Sequence, residues 1–275
     1  MDQDQLAHWN RYARQWAKVG PPLRPSAEDL AWLRDRIARA LPRTGRVPTA
    51  LLLGVTPEVA AVDWRPEINL IAVDQAPGMI ATVWPGDTPR RWAICADWLA
   101  LPIAAATIDA AIGDGCFNVL AYPEGYLRLA AALADALRPG GLLAVRNFCR
   151  PERQEDPAAV FDDLEQRIIG SFHAFKWRLV MAVQGQETSR GAPLAEVWRA
   201  FAERVRDPAA LAARLGWSPH EVSGLEGYRD SKGSYSFPTV DEVTAVLSER
   251  FELIERWHGG YELAARCPQF LLRAR

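Results

Sequence analysis

The sequence predicts an α/β protein built on a doubly wound, mostly parallel seven-stranded sheet with an antiparallel C-terminal strand. N-terminal helices and a largely helical insertion are added to that sheet. Three observations carry the prediction. Short apolar runs without polar alternation recur, as in strands covered on both faces. Helical stripes separate them. Acidic residues fall at or just beyond successive strand ends, at Asp74, Asp97 and Asp114, where an open α/β sheet binds a nucleoside ligand.

Each element has a local justification. Thr49-Ala-Leu-Leu-Leu-Gly54 is a buried strand that stops where a residue without a Cβ permits a sharp turn. Thr56-Pro57-Glu58 supplies a hydroxyl cap, a proline at the first helical position and an acid at the positive helix end, so a helix is expected there. Asn69-Leu-Ile-Ala-Val-Asp74 is the second strand, and Asp74 lies 20 residues beyond Gly54, a spacing that places a carboxylate on ribose hydroxyls. Arg91–Cys95, read as running on to Asp97, and Thr107–Gly113 are the third and fourth strands. Between Pro123 and Leu137 one apolar helical stripe (Leu127, Ala130, Ala131, Ala134, Leu137) ends at Arg138-Pro-Gly-Gly141, and Leu142–Phe148 is the fifth strand.

With these strings in this order, residues 47 to 148 resemble the class I S-adenosylmethionine-dependent methyltransferase family. The resemblance implies that the turn Gly54 to Glu58, including Val55 and Thr56, passes under the methionine and ribose of S-adenosyl-L-methionine. It implies that Asp74 grips the ribose diol, and that Met79, in the pattern Asp74-Gln75-x-Pro-x-Met79, packs on adenine. Asp97 would accept from the adenine amino group with Trp98 beside it, and Asp114-Gly115-Cys-Phe-Asn118 would face cofactor and substrate. Leu137-Arg-Pro-Gly-Gly141 matches the family's turn into its fifth strand. The cofactor-binding set is thus Gly54, Val55, Thr56, Asp74, Gln75, Met79, Asp97, Trp98, Asp114 and Gly115.

One departure stands out. The family turn reads Gly-x-Gly-x-Gly, whereas Gly54-Val-Thr-Pro-Glu58 keeps only the first glycine. Thr56 adds bulk, though its hydroxyl can donate to a carboxylate. Glu58 would repel the methionine carboxylate unless it points away or meets the ammonium group.

Composition removes other classes. At 275 residues and 49% apolar content the chain can bury a full core. A formal net charge of -2 without a basic tract gives no reason to expect a nucleic-acid partner. The cysteines at 95, 116, 149 and 267 form no Cys-x-x-Cys pair and no His-x-x-x-His occurs, so no metal site is indicated. Neither a leader pattern nor about 18 uninterrupted apolar residues is present, and a cytoplasmic protein with reduced thiols, acting on a small-molecule substrate away from membranes, is the expectation.

The expected organisation is an N-terminal helical lid over 1–46, a cofactor-binding core over 47–149, a substrate-shaping insertion over 150–238, and a last helix with a terminal hairpin over 239–275. The lid contains a helix over Leu6–Val19 and another from the Ser26 cap to about Ala40. The insertion carries helical patterns at Ala158–Val183 and Leu194–Arg206, then a Gly/Ser/Tyr-rich irregular stretch over Gly216–Pro238 that suggests a mobile loop. Thr239 or Asp241 caps a helix to Arg250, and Phe251–Trp257 with Gln269–Arg273 forms an antiparallel pair.

Eleven tryptophans invite an aromatic-pocket reading, but Trp9, Trp16, Trp32, Trp177 and Trp198 fit helix faces and read as core. His173, His220 and His258 are general-base candidates. Arg11, Tyr12, Asn118, Tyr122 and Tyr228 are undecided. In-line methyl transfer needs positioning more than a strong base, so the catalytic residue is unassigned. Two other readings remain open, a non-catalytic binder of the same cofactor or its demethylated product, and a nicotinamide-dependent oxidoreductase. The missing second glycine and the unexplained Asp97 and Asp114 count against the latter.

Overall fold

The computed structural model describes residues 9–10, 13, 16, 19–41, 45–65 and 67–275. Seven strands form one sheet: β1 (Thr49–Leu53), β2 (Asn69–Asp74), β3 (Arg91–Cys95), β4 (Ile108–Asp114), β5 (Leu137–Arg146), β8 (Phe251–Trp257) and β9 (Gln269–Ala274). Their order is β3-β2-β1-β4-β5-β9-β8. The first five are parallel, and β9 lies antiparallel between β5 and β8. A two-stranded ribbon joins β6 (Ala192–Pro193) to β7 (Ser234–Tyr235).

The absence of polar alternation in the strands has a direct cause, because both faces are covered. From β1, Ala50 and Leu52 enter one core with Trp32, Leu33 and Ile37 of helix α1 (Ala27–Ala40). Leu51 and Leu53 enter the other. There they join Tyr126, Leu129 and Leu133 of a helix over Glu124–Ala136. Ser26 caps α1 in a capping box with Asp29, which satisfies donors at both positions.

Several boundaries differ from expectation. The helix after β1 forms but spans only Pro57–Ala60, and Thr56 stands at its cap position without a side-chain bond. The third strand ends at Cys95, and Asp97 lies beyond it as the cap of a single 3-10 turn. The fifth strand begins at Leu137 because that residue already pairs with Ile108 of β4; Arg138–Gly141 are passed over in a bulge before pairing resumes between Leu142 and Ala110. The single pattern over Ala158–Val183 is two helices, Pro157–Glu165 and Phe172–Gln184; periodicity carries no signal for a break when both pieces are apolar on one face. Residues 216–238, expected to be irregular, carry a short helix (Pro219–Val222), a 3-10 turn (Ser223–Tyr228) and β7, and Leu225, Tyr228, Tyr235 and Phe237 are buried. Thr239, not Asp241, caps the last helix, Val240–Leu247. The helix over Leu6–Val19 falls largely outside the described residues, as do Arg11 and Tyr12.

Residues 157–237 build a third core around Phe161, Phe172, Phe175 and Trp217, joined by Val119 and Phe148 from just beyond the ends of β4 and β5. That junction sets the helical region over the carboxyl ends of β4 and β5, beside the crevice.

Candidate active site at the carboxyl ends of the strands

Strand order reverses between β1 and β4, so the chain leaves β1 and β4 in opposite directions and a crevice opens at their carboxyl ends. One cavity occupies this place. Gly54, Val55, Thr56, Asp74, Met79, Trp98, Asp114 and Gly115 line it, together with Asn118, Val119 and Phe148. Trp9, Trp16 and Leu23 from the N-terminal segment and Trp177 and Tyr235 from the insertion complete the wall. Gln75 and Asp97 are not among the lining residues. The Asp97 carboxylate accepts from Leu99 N–H at 2.9 Å.

On the β1/β2 side, Gly54 adopts φ +88°, a conformation that disfavours any side chain. A Cβ built there would sit 3.8 Å from Asp74 Oδ2 and 3.9 Å from Trp98 Cζ2, so Gly54, Asp74 and Trp98 surround one small volume. Trp98 is held by its indole N–H, which donates to Val73 O at 2.6 Å. Asp74 is 7% exposed. Its Oδ1 accepts from Ala76 N–H at 2.8 Å, while Oδ2 accepts nothing from the described residues. Burial pushes its pKa up to about 6, the Ala76 bond working the other way. A dry carboxylate with one open oxygen suits a ligand that brings hydroxyl donors, so the residues fit the ribose of a nucleoside cofactor.

On the β4/β5 side, Gly115 has φ +66°, and a Cβ would come within 2.8 Å of the Phe148 ring. The neighbouring Asp114 accepts from Arg146 Nε at 2.6 Å. Arg146 is 2% exposed and also reaches Asp29, at 3.4 Å, and the Tyr261 hydroxyl, at 3.2 Å. Burial opposes the Arg146 charge, but Asp114 more than offsets it and its pKa is raised. Asn118 is fully committed: Nδ2 donates to Phe148 O at 2.8 Å and Ser236 O at 2.7 Å, and Phe148 N–H donates to Oδ1 at 2.9 Å. Cys116 is buried and its thiol is pushed far up, by burial first and Asp114 second, so it stays neutral.

Glu58 is not among the lining residues and pairs through Oε1 with Arg24 from the N-terminal segment. The same guanidinium donates to Trp16 O and Val19 O, each at 3.3 Å, and lies 5.4 Å from the Trp16 ring centroid. The acid that replaces a glycine thus anchors the covering segment.

Among the described residues no histidine lines the cavity. His173 stands 3.7 Å from Glu221, His220 is on the short helix Pro219–Val222, and His258 faces its own loop. Among the described residues no group of three His, Cys, Asp or Glu could hold a metal ion, and no helix is long and apolar enough to cross a membrane. Sequence reasoning missed Arg24, Phe148, Trp177 and Tyr235. Arg146 had a usable signal, a cation inside an otherwise apolar strand that must bring an acid partner.

No protein-family model matches the sequence, and no curated protein matches it. Solved structures match the fold. A protein from Rhodobacter sphaeroides described as a putative Zn-dependent alcohol dehydrogenase superposes with TM-score 0.64 at 14% identity, over 100% of this chain and 99% of that one. A SAM-dependent methyltransferase from Methanosarcina mazei gives 0.51 at 12%, over 87% and 96%. The 1,6-didemethyltoxoflavin-N1-methyltransferase of Burkholderia thailandensis, holding 1,6-didemethyltoxoflavin and S-adenosylhomocysteine, gives 0.51 at 14%, over 100% and 90%. The fold is the Rossmann-like fold of class I S-adenosylmethionine-dependent methyltransferases, with a mostly parallel seven-stranded sheet and an antiparallel strand inserted next to its edge.

Proposed function

We propose that this chain is an S-adenosylmethionine-dependent methyltransferase acting on a small-molecule acceptor. The observation that carries the proposal is the buried Asp74 carboxylate beside Gly54, with one oxygen left open toward the crevice. Bound S-adenosylmethionine supplies an electrophilic methyl group on a sulfonium sulfur. Asp74 holds the ribose diol, the Gly54–Thr56 backbone supports the ribose and methionine, and Met79 and Trp98 close the adenine side. Asp97, turned to its own cap, contributes less than its sequence position suggests. Asp114, fixed by Arg146, shapes the floor between cofactor and acceptor. Among the described residues the wall holds no histidine, and the contribution these residues make is to orient the acceptor and exclude water. A neighbour of the same fold holds a small molecule, 1,6-didemethyltoxoflavin, with the demethylated cofactor, which supports an acceptor of that size.

Two rival readings each have an observation behind them. Thr56 and Glu58 in place of glycines favour a non-catalytic binder of the cofactor. The Rhodobacter sphaeroides neighbour favours an oxidoreductase. Against the latter, dinucleotide folds run their strands parallel in the order 3-2-1-4-5-6, whereas here antiparallel β9 separates β5 from β8. Calorimetric titration with S-adenosylmethionine, S-adenosylhomocysteine and NAD separates all three. Micromolar binding of the first two alone, followed by multiple turnovers on a small-molecule panel, is the expected result. Binding without turnover supports the binder, and saturable NAD binding alone supports the oxidoreductase.

A further inference from the structure

The acceptor half of the cavity has a chemistry of its own. Beyond Asp114 the wall is Asn118, Val119, Phe148, Trp177 and Tyr235. None of these carries a charge. The Asn118 carboxamide is consumed by three hydrogen bonds, Asp114 is paired with Arg146, which it shares with Asp29, and Cys116 keeps its proton. A carboxylate brought against these described residues loses its water without gaining a partner among them.

The aromatic groups form a packed set. Trp177 meets Phe148 at 5.3 Å and 86°, Tyr235 at 5.7 Å and 66°, and Phe237 at 5.6 Å and 82°. These edge-to-face contacts fix the rings, so the wall offers rigid π surface rather than an adaptable apolar lining. One polar atom stands out: Trp177 is 7% exposed and its indole Nε1 is buried with no hydrogen-bond partner among the described residues. A buried indole N–H left unpaired is destabilising, and a cavity-lining tryptophan recovers that cost if the ligand presents an acceptor atom.

From this wall we infer that the acceptor substrate is an uncharged, planar heteroaromatic molecule, recognised by the Phe148, Trp177 and Tyr235 rings and by a hydrogen bond from Trp177 Nε1. The inference rests on the methyltransferase reading for the word acceptor, but the aromatic slot itself is a property of the wall. Trp177 is then a specificity-determining residue, set on the helix over Phe172–Gln184 in the region outside the cofactor-binding strands.

The test is calorimetric titration of the full chain, with and without saturating S-adenosylhomocysteine, using three probes. 4-Quinolone is flat, neutral and carries an acceptor; 1-decalone carries an acceptor but is not flat; quinoline-4-carboxylate is flat but charged. Quinolone is expected to bind at least about tenfold more tightly than either control. Trp177→Phe, which keeps a ring and deletes the N–H, should weaken quinolone about fivefold and leave S-adenosylhomocysteine affinity unchanged. Tyr235→Leu is the second variant, with the same expected pattern, should Trp177→Phe fold poorly by thermal melting. Absence of quinolone binding, equal affinity for the carboxylate, or variants that do not discriminate each overturns the inference. If S-adenosylhomocysteine fails to bind the unmodified chain while quinolone still does, the cofactor reading falls and the aromatic slot stands.

Discussion

Arg146, on the last residue of β5, and Asp114, on the last residue of β4, are joined Nε to Oδ1 at 2.6 Å with side chains 2% and 8% exposed. Their bond ties the two strand ends that floor the cavity, and Asp29 of α1 approaches the same guanidinium. A buried cation shared by two acids is costly to break, because removing it leaves carboxylates in a dry site.

Arg146→Ala is therefore expected to destabilise the protein by about 3–5 kcal/mol. The double variant Arg146→Met, Asp114→Asn should cost less than the single change. Urea unfolding of the three proteins measures both quantities. A loss below about 1 kcal/mol for Arg146→Ala would show that the guanidinium reaches water.

Asn118 makes its prediction through Phe148. Its carboxamide satisfies Phe148 N–H, Phe148 O and Ser236 O, and Asn118→Ala orphans the Phe148 N–H, while Phe148 O keeps Asn147 Nδ2 and Ser236 O keeps the Tyr126 hydroxyl, each at 3.3 Å. The expected cost is about 1–3 kcal/mol, with hydrogen exchange at the Phe148 amide rising far more than at Leu143. Unchanged protection at Phe148 would mean that another group takes over the clamp.

Asp74→Ala should weaken S-adenosylhomocysteine binding by about 1.5–3 kcal/mol, since it deletes the acceptor for the ribose diol. The fold should persist, as the carboxylate makes one protein hydrogen bond, to Ala76 N–H. Equal affinity in variant and parent would place the ribose elsewhere.

The raised Asp74 pKa, about 6, adds a pH signature with a definite sign. The unfolded group ionises near about 4, so the native state holds a proton that the unfolded state has lost between roughly pH 4 and 6. This destabilising contribution is absent below that window and complete above it. Asp74→Asn should accordingly stabilise the ligand-free protein at pH 7.5, by about 2 kcal/mol, and leave its stability at pH 4 little changed. Cofactor affinity runs the other way, since the diol needs the ionised acceptor: S-adenosylhomocysteine binding should weaken as pH falls through about 6. Melting curves and titrations at pH 4.5, 6 and 7.5 check both arms where the protein remains folded.

The Arg24–Glu58 pair is half-shielded, with side chains 23% and 18% exposed. Arg24→Gln should cost about 1 kcal/mol and increase hydrogen exchange at Val19, whose N–H bonds Trp16 O at 3.1 Å in the turn that the guanidinium holds through Trp16 O and Val19 O. An effect that does not diminish in high salt would argue that packing on Trp16, rather than charge, holds the segment.

How far the sequence reaches differs between the two halves of the cavity. Gly54, Asp74, Met79 and Trp98 lie within 45 residues of one another, at or just beyond strand ends whose spacing is set by two short helices and two strands. Local pattern is enough to find them. Asp97 marks the limit of that reasoning, because a strand end misjudged by two residues turns a crevice carboxylate into a cap for Leu99. Trp177 and Tyr235 come from a region whose helical periodicity is satisfied equally by core and by cavity. The reading of Trp9, Trp16 and Trp177 as core holds, since Trp177 is part of a buried cluster and Trp9 and Trp16 pack on core clusters; nothing in the sequence says that the same rings also line the cavity.

The sequence by itself determined the sheet and its cover: continuous apolar runs admit only strands buried on both faces, and helical stripes between them leave a doubly wound layer as the arrangement that buries both. It also determined where the crevice opens, since turn residues and strand-end acids are local features. Only the tertiary structure decided which acids are free for a ligand and which are spent. Glu58 is taken by Arg24, Asp114 by Arg146, and Asn118 by two backbone segments, through contacts spanning 30 to 118 residues. Such long-range partners are selected by packing geometry in three dimensions, which leaves no periodic trace in the chain.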